Sequence, residues 1–242
     1  MDQAAIQAGR ERLARARRVT VLSGAGVSAE SGVPTFRGPG GLWENHRPED
    51  LATPQAFRRD PALVWRWYHW RRGLIAACQP NPAHLALAQF EARAPEFCLI
   101  TQNVDGLHRL AGSQRVLEIH GSLWRVRCLD CGAAAEERRL DLPAPPLCPE
   151  CGGLLRPDVV WFGESLDDAL LDQAWRAAAE SQVMLVVGTS AVVQPAASLA
   201  QVARRAGAYV IEVNLDPTPN TGQVDISLLG RAGEILPPLL QP

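Results

Sequence analysis

Four of the six cysteines fall into two C-x-x-C pairs, Cys128 with Cys131 and Cys148 with Cys151. Each pair sets two thiolates on one tight turn, and two pairs complete a tetrahedral S4 site for Zn²⁺. Four thiolates leave no open coordination position, so such a zinc is structural rather than catalytic. A reduced or disulfide-bonded loop is the competing reading. The stretch Met1 to Arg18 is Arg-rich and lacks the apolar run of a secretory signal, which favours metal over disulfides. A second signal is Gly24-Ala25-Gly26-Val27-Ser28-Ala29, directly after an apolar run. It matches G-x-G-x-x-[G/A], in which glycines turn the chain tightly and let backbone N–H groups approach a diphosphate. An ordinary strand-to-helix turn would read the same way. The pattern also departs from that of dehydrogenases: no strand ending in an acidic residue follows about 20 positions on.

Other residues fit proton and carboxylate chemistry. His120 stands alone in Ile119-His120-Gly121, and an imidazole of ordinary pKa near 6.5 suits a general base at neutral pH. A satisfied structural histidine is the plainer alternative, and it is the reading taken for His84 and His108. Asn103-Val104-Asp105-Gly106 follows another apolar run and could equally be a simple turn. Tyr68 and Arg71 are spaced i, i+3 and so share a helix face. A guanidinium grips a carboxylate bidentately, and a phenol adds a further donor. The neighbouring Trp65, Trp67 and Trp70 read as a packing face.

These residues need a scaffold that brings them together. Short, near-continuous apolar runs at 19–23, 98–101, 116–119, 184–187, 209–213 and 226–229 read as strands of a parallel sheet buried on both faces. Helical patterns at 4–16, 61–77, 82–92, 166–179, 194–206 and 233–240 alternate with them. The fold class is therefore α/β, a Rossmann-like doubly wound parallel sheet with a smaller lobe built from a zinc ribbon and helices. The sheet domain is expected to be discontinuous, over 1–36, 78–124 and 158–242. The insertions 37–77 and 125–157 form the small lobe, with a ligand cleft between lobes above the carboxyl ends of the strands.

Composition narrows the classes. The chain has 242 residues, 47% of them apolar, and a formal net charge of −2, enough for one sizeable core and without the basic excess of a nucleic-acid binder. No apolar run approaches the ~20 residues that span a bilayer. All 24 basic residues are arginine, so no side-chain lysine of this chain can be acylated.

Further motifs occur in order: Ser31-Gly32-Val33-Pro34-Thr35-Phe36-Arg37, Thr101-Gln102-Asn103-Val104-Asp105-Gly106-Leu107-His108, His120-Gly121-Ser122, Val160-Trp161-Phe162-Gly163-Glu164, Gly188-Thr189-Ser190 and Val213-Asn214. Together with the glycine turn and the cysteine pairs, this succession resembles the sirtuin family from about Arg18 to Gly233. The resemblance implies an NAD-consuming protein-lysine deacylase that yields nicotinamide and O-acyl-ADP-ribose. It implies His120 as the base and Asn103 as orienting ribose or water. Gly24, Ala25, Gly26, Ser28, Thr35, Phe36, Arg37, Gln102, Asp105, Gly188, Thr189, Ser190, Asn214, Asp216 and Ala232 then surround NAD. Ala232 stands where relatives often place a cysteine. An acyl-lysine peptide is expected to add as a strand against Val160, Trp161, Phe162 and Gly163, with Ala191-Val192-Val193 as the facing edge.

Tyr68 and Arg71 resemble the Tyr-x-x-Arg pair with which one branch of the family reads succinyl, malonyl or glutaryl carboxylates. Preference for acidic acyl groups, with acetyl also accepted, is the expectation. Competing functions are a mono-ADP-ribosyltransferase, a nicotinamide-linked dehydrogenase and a zinc-ribbon nucleic-acid module. The cysteine array and net charge speak against the last two, and Tyr68 with Arg71 against the first. A cytoplasmic setting is expected, without nucleic-acid or membrane partners; oligomeric state is left open.

Overall fold

The structure is a computed structural model that describes residues 2–35 and 47–241. Strands β1 (Arg18–Ser23), β2 (Glu96–Thr101), β3 (Val116–Glu118), β7 (Val183–Val187), β8 (Tyr209–Asn214) and β9 (Ile226–Leu229) form one sheet in the order β3-β2-β1-β7-β8-β9. Every pairing is parallel, with Val21 opposite Leu99 on one side and Leu185 on the other. The order reverses between β1 and β7, and this is where an open α/β sheet holds its ligand. Five of the six residues of β1 and all five of β7 are buried, which is why these strands read as unbroken apolar runs.

Helices cover both faces. Helix α1 (Gln3–Arg15), α6 (Pro82–Arg93) and α10 (Ala232–Leu239) pack on one side, around Leu13, Leu87, Leu99, Ile211 and Leu236. Helix α8 (Asp168–Glu180) and α9 (Leu199–Arg205) pack on the other, around Leu22, Ala174, Met184 and Val210. The segment expected as helix over 194–206 is irregular at its start. Gln194-Pro195 is a cis peptide, a 3₁₀ turn follows at Ala196–Ser198, and only then does α9 begin. Short helices α2 (Gly26–Ala29), α3 (Pro48–Leu51), α4 (Pro54–Arg59) and α7 (Leu107–Leu110) carry too little periodicity to be seen in the sequence.

The small lobe joins helix α5 (Pro61–Ala76) to an antiparallel sheet of β5 (Ala134–Glu136), β4 (Gly121–Cys128) and β6 (Leu155–Val159), in that order. Sequence patterning missed these three strands. The β4–β6 register shifts between Ser122 and Val126, and Pro157 lies inside β6, so the period-two alternation is broken. Strand β4 begins at Gly121, so it crosses the boundary that composition placed after residue 124.

Two devices hold this lobe. The sulfurs of Cys128, Cys131, Cys148 and Cys151 all lie within 4.8 Å of one another, with Cys128 to Cys151 at 3.5 Å and Cys131 to Cys148 at 3.7 Å. A tetrahedral Zn–S4 centre with bonds of about 2.3 Å needs sulfur separations near 3.8 Å, whereas a disulfide needs about 2.0 Å. The four thiols therefore fit one structural zinc. The backbone N–H groups of Asp130 and Gly153 donate to Cys128 Sγ and Cys151 Sγ, both at 3.4 Å.

The second device is Arg72, which has no exposed surface and lies between Trp65 and Trp124. Its guanidinium donates to the carbonyls of Leu123 (2.7 Å), Glu137 (2.5 Å) and Arg139 (3.4 Å). Helix α5 is thereby clamped to the sheet that the cysteines close. Metal analysis of the purified chain is expected to return one zinc per molecule, and Cys148→Ala to abolish it. Hydrogen exchange of the metal-free protein should then show protection lost in β4–β6 and kept in β1, β7 and β8.

Candidate active site

The two loops at the switch point touch backbone to backbone. Gly24 N–H donates to Val187 O (3.0 Å) and Gly26 N–H to Gly188 O (2.8 Å). A Cβ on Gly188, whose φ is +58°, would stand 2.4 Å from Val27 N, and one on Gly26 would meet Gly188 Cα at 2.9 Å. Only glycine permits this approach. The loops form one wall of a cavity of about 1030 Å³ between the lobes.

Most sequence-predicted residues converge on this cavity. Gly24, Ala25, Gly26 and Thr35 line it from the first loop, and Gly188, Thr189 and Ser190 from the loop after β7. Asn214 and Asp216 close one end with Ala232. Tyr68 and Arg71 enter from α5, and Val160, Trp161, Phe162 and Gly163 from the segment after β6. Val193 lies opposite, past Ala191, which adopts φ 55°. Phe36 and Arg37 lie outside the described residues.

Gln102, Asn103 and His120 form the floor. Gln102 Nε2 donates to Thr189 Oγ1 (2.9 Å), which ties β2 to the β7 loop across β1. The carbonyl oxygen of Gln102 can only accept, so His120 Nδ1, at 3.1 Å, carries the ring proton. His120 Nε2 is then the basic nitrogen of the neutral ring. Burial lowers the His120 pKa, and its hydrogen bond to the Gln102 carbonyl offsets this in part. A neutral imidazole with its lone pair on Nε2 is the form a general base needs.

Ser28 and Asp105, also expected at the nucleotide, are buried and are not among the residues that line the cavity. Asp105 accepts from Ser28 Oγ (2.8 Å) and from Leu107 N–H (2.8 Å). Burial raises its pKa, against the pull of those two bonds and of Arg71. Asn103 Nδ2 donates to Gly24 O and to Ser28 Oγ, both at 3.1 Å. The Asn103 carboxamide is thus oriented by the glycine loop on one side and the Asp105 network on the other.

His84 adds a contact that its sequence position hid. Its Nδ1 accepts from Asn81 N–H (3.3 Å) in the cap of α6, which leaves Nε2 protonated and directed at Ser28 Oγ, 3.4 Å away. Burial holds its pKa down at about 4. His108, also buried, meets Ser23 Oγ at 2.9 Å through Nε2. An asparagine before a Pro-x-His is the signal that marks His84 as a capping residue, but only the tertiary fold brings Ser28 to it.

Tyr68 and Arg71 are both buried. The Arg71 guanidinium lies over the Trp67 ring at 4.9 Å and near the Tyr68 ring at 6.0 Å. Burial raises the Tyr68 pKa, so the phenol keeps its proton; its oxygen accepts from Trp161 Nε1 at 2.8 Å. Trp161 is fixed in turn by Arg156, stacked 3.4 Å above its ring. Arg156 also grips Glu164 bidentately (2.5 and 2.9 Å) and donates to Val159 O (2.8 Å). Arg156→Met would leave a half-buried Glu164 carboxylate without its ion-pair partner. Urea unfolding is expected to show a loss of roughly 3 kcal/mol, near the low end for a broken buried pair.

Comparison with known proteins agrees with this geometry. Residues 24–195 match the model of the Sir2 family. The chain is 57% identical over 236 residues to the NAD-dependent protein deacylase 2 of Pyrobaculum aerophilum, covering 95% of this chain and 92% of that protein. A crystal structure of a Sir2 homolog–NAD complex superposes with a TM-score of 0.92 at 50% identity, over 97% of this chain and 92% of the other. A complex of Sir2 with a p53 peptide and NAD⁺ gives 0.84 at 32% identity, over 93% of each chain. The chain belongs to the Sir2 family.

Proposed function

We propose that this chain is an NAD-dependent protein-lysine deacylase that favours acyl groups ending in a carboxylate, succinyl and malonyl, and also accepts acetyl. The observation that carries the reading is the meeting of the glycine cradle, a neutral His120 and the buried Tyr68–Arg71 pair in one cavity. The donor set suits NAD. A glycine loop that tolerates no Cβ lets a diphosphate lie close against the backbone, beside the hydroxyls of Thr189 and Ser190. Gln102 and Asn103 suit a ribose, and Asn214 and Asp216 the adenosine end. When bound, NAD supplies a ribose carbon that becomes electrophilic as nicotinamide leaves, and the acyl group ends on ADP-ribose.

The chain's own residues do the rest. His120 Nε2 takes a proton from a ribose hydroxyl, and the Gln102 carbonyl steadies the imidazolium through Nδ1–H. The N–H groups of Val160, Trp161 and Phe162 already donate to His120 O, Glu164 Oε2 and Ala52 O. An extended peptide added at this edge is left with the carbonyls and with Gly163. Backbone pairing of this kind gives broad sequence tolerance. A cysteine cluster shaped for a metal rather than for disulfides favours a cytoplasmic setting.

Acyl choice rests on Arg71. A carboxylate entering a dry site opposite a fixed guanidinium gains a bidentate, charge-assisted pair. An acetyl methyl brings no such partner. The test is mass spectrometry of matched succinyl- and acetyl-lysine peptides, with and without NAD. Release of succinyl with formation of O-succinyl-ADP-ribose is expected, and release of acetyl alone would overturn the acidic preference. Arg71→Met should lower kcat/KM for the succinyl peptide about a hundredfold while the acetyl reaction stays within a few-fold; equal losses would remove Arg71 from the acyl pocket. Because burial lowers the His120 pKa, kcat/KM should be level through neutral pH. Its acid limb should fall below the ordinary imidazole value of about 6.5, where protonation of Nε2 removes the base. His120→Ala should cost about 10²- to 10⁴-fold in turnover at pH 7.5.

A further inference from the structure

The motif Glu212-x-Asn214 followed by Thr218 and Thr221 has no part in the chemistry above. Glu212 lies in β8 with 1% of its surface exposed, and among the described residues no cation stands within ion-pair distance. Its carboxylate instead accepts three hydroxyls. Thr218 Oγ1 donates to Oε1, while Thr221 Oγ1 (2.6 Å) and Ser227 Oγ (2.9 Å) donate to Oε2. Ser227 is its register partner on β9, and the two threonines belong to the loop joining β8 to β9.

The hydroxyl protons have fixed directions. Thr218 Oγ1 accepts from Asn220 N–H (3.0 Å), and Thr221 Oγ1 accepts from Thr218 N–H (2.8 Å). Each threonine therefore takes a backbone proton and gives its own to Glu212. Only an acceptor without protons of its own satisfies all three donors at once. The loop is folded back over β8 by this carboxylate and by Asp225, which accepts from Val210 N–H (2.8 Å). Its outgoing corner, Asn214 to Asp216, borders the main cavity and is closed by Asn214 Nδ2 donating to Asp216 O (3.0 Å). Glu212 and Asn214, two apart on the strand, share a face of the sheet.

We infer that Glu212 is a positioning residue that holds the Asn214–Asp216 corner in register for the adenosine end of NAD, through the hydroxyls of Thr218 and Thr221. The inference rests on the reading of the cavity as an NAD site. It separates co-substrate affinity from chemistry, since His120, Asn103 and Tyr68 are held by Gln102 O, Gly24 O and Trp161 Nε1 rather than by this loop. Glu212→Gln keeps the shape but turns an amide NH₂ toward a hydroxyl, so at least one donor loses its acceptor.

The test combines calorimetric titration of the full zinc-loaded chain with ADP-ribose and steady-state deacylation at varied NAD. For Glu212→Gln, the ADP-ribose Kd and the KM for NAD should each rise about five- to tenfold. The turnover number and the KM for peptide should stay within about twofold. Thr221→Ser should behave as the parent and Thr221→Val as Glu212→Gln, which decides the matter should Glu212→Gln fail to fold. An unchanged ADP-ribose Kd in both loss variants overturns the inference. So does a joint fall in turnover and in affinity for NAD and peptide with a lowered melting temperature, which would mark general support of the fold. Parent protein that neither binds ADP-ribose nor deacylates would instead overturn the NAD reading itself.

Discussion

The contact between Gly188 and the Gly24–Gly26 turn is the constraint on which the site depends. Strands β1 and β7 are neighbours whose following loops leave in opposite directions, and a crevice opens only where such loops part. Here they part after a backbone-to-backbone contact that leaves no room for a side chain. The N–H groups of the turn are thus held at a fixed height above the sheet. Gln102 and Asn103, at the end of the adjacent β2, are tied to the same two loops by hydrogen bonds to Thr189 and to Gly24 O.

Beneath that surface lies a layer of polar groups with no access to solvent. Ser28, His84, Asp105, Ser23, His108 and Thr101 are all buried. Such groups are costly unless paired. Here a ring nitrogen, a hydroxyl and a carboxyl are joined in sequence, from Asn81 N–H through His84 and Ser28 to Asp105. The direction of each proton in that chain follows from a group that can only donate or only accept. The network sets the Asn103 carboxamide, which donates to Gly24 O and Ser28 Oγ.

The small lobe solves a different problem. Its sheet has three strands, one of them exposed, and buries its apolar face against α4 and α5 around Phe57, Trp65, Leu123 and Val126. The cysteine cluster closes the distal end, and Arg72 and Trp65 Nε1 bind α5 to the carbonyls of the same sheet. Arg156 then carries the order inward to Trp161 and so to the Tyr68 hydroxyl. A four-cysteine site at the far end of the lobe thereby supports the wall of the cavity at Tyr68.

What the sequence determined alone was whatever is encoded locally. Strands buried on both faces appear as apolar runs, a metal knuckle as two cysteines three apart, a close approach as glycine, and a helix face as Tyr68 and Arg71 at i, i+3. These suffice for the fold class and the zinc lobe, while most of the cavity lining was implied by the resemblance of the ordered motifs to a known family. Tertiary structure decided what depends on partners distant in the chain. Ser28 and Asp105 carry motif positions yet are buried in hydrogen bonds to each other and to Leu107 N–H. His84 caps its own helix and also reaches Ser28, a meeting of residues 56 apart in the chain. The strands of the small lobe escaped patterning because a register shift and Pro157 break their alternation. Glu212 is an acid within an apolar strand, and only the folded-back loop and β9 supply its three hydroxyls. A side chain's type is written in the sequence, but its proton direction, its partner and its exposure belong to the packed molecule.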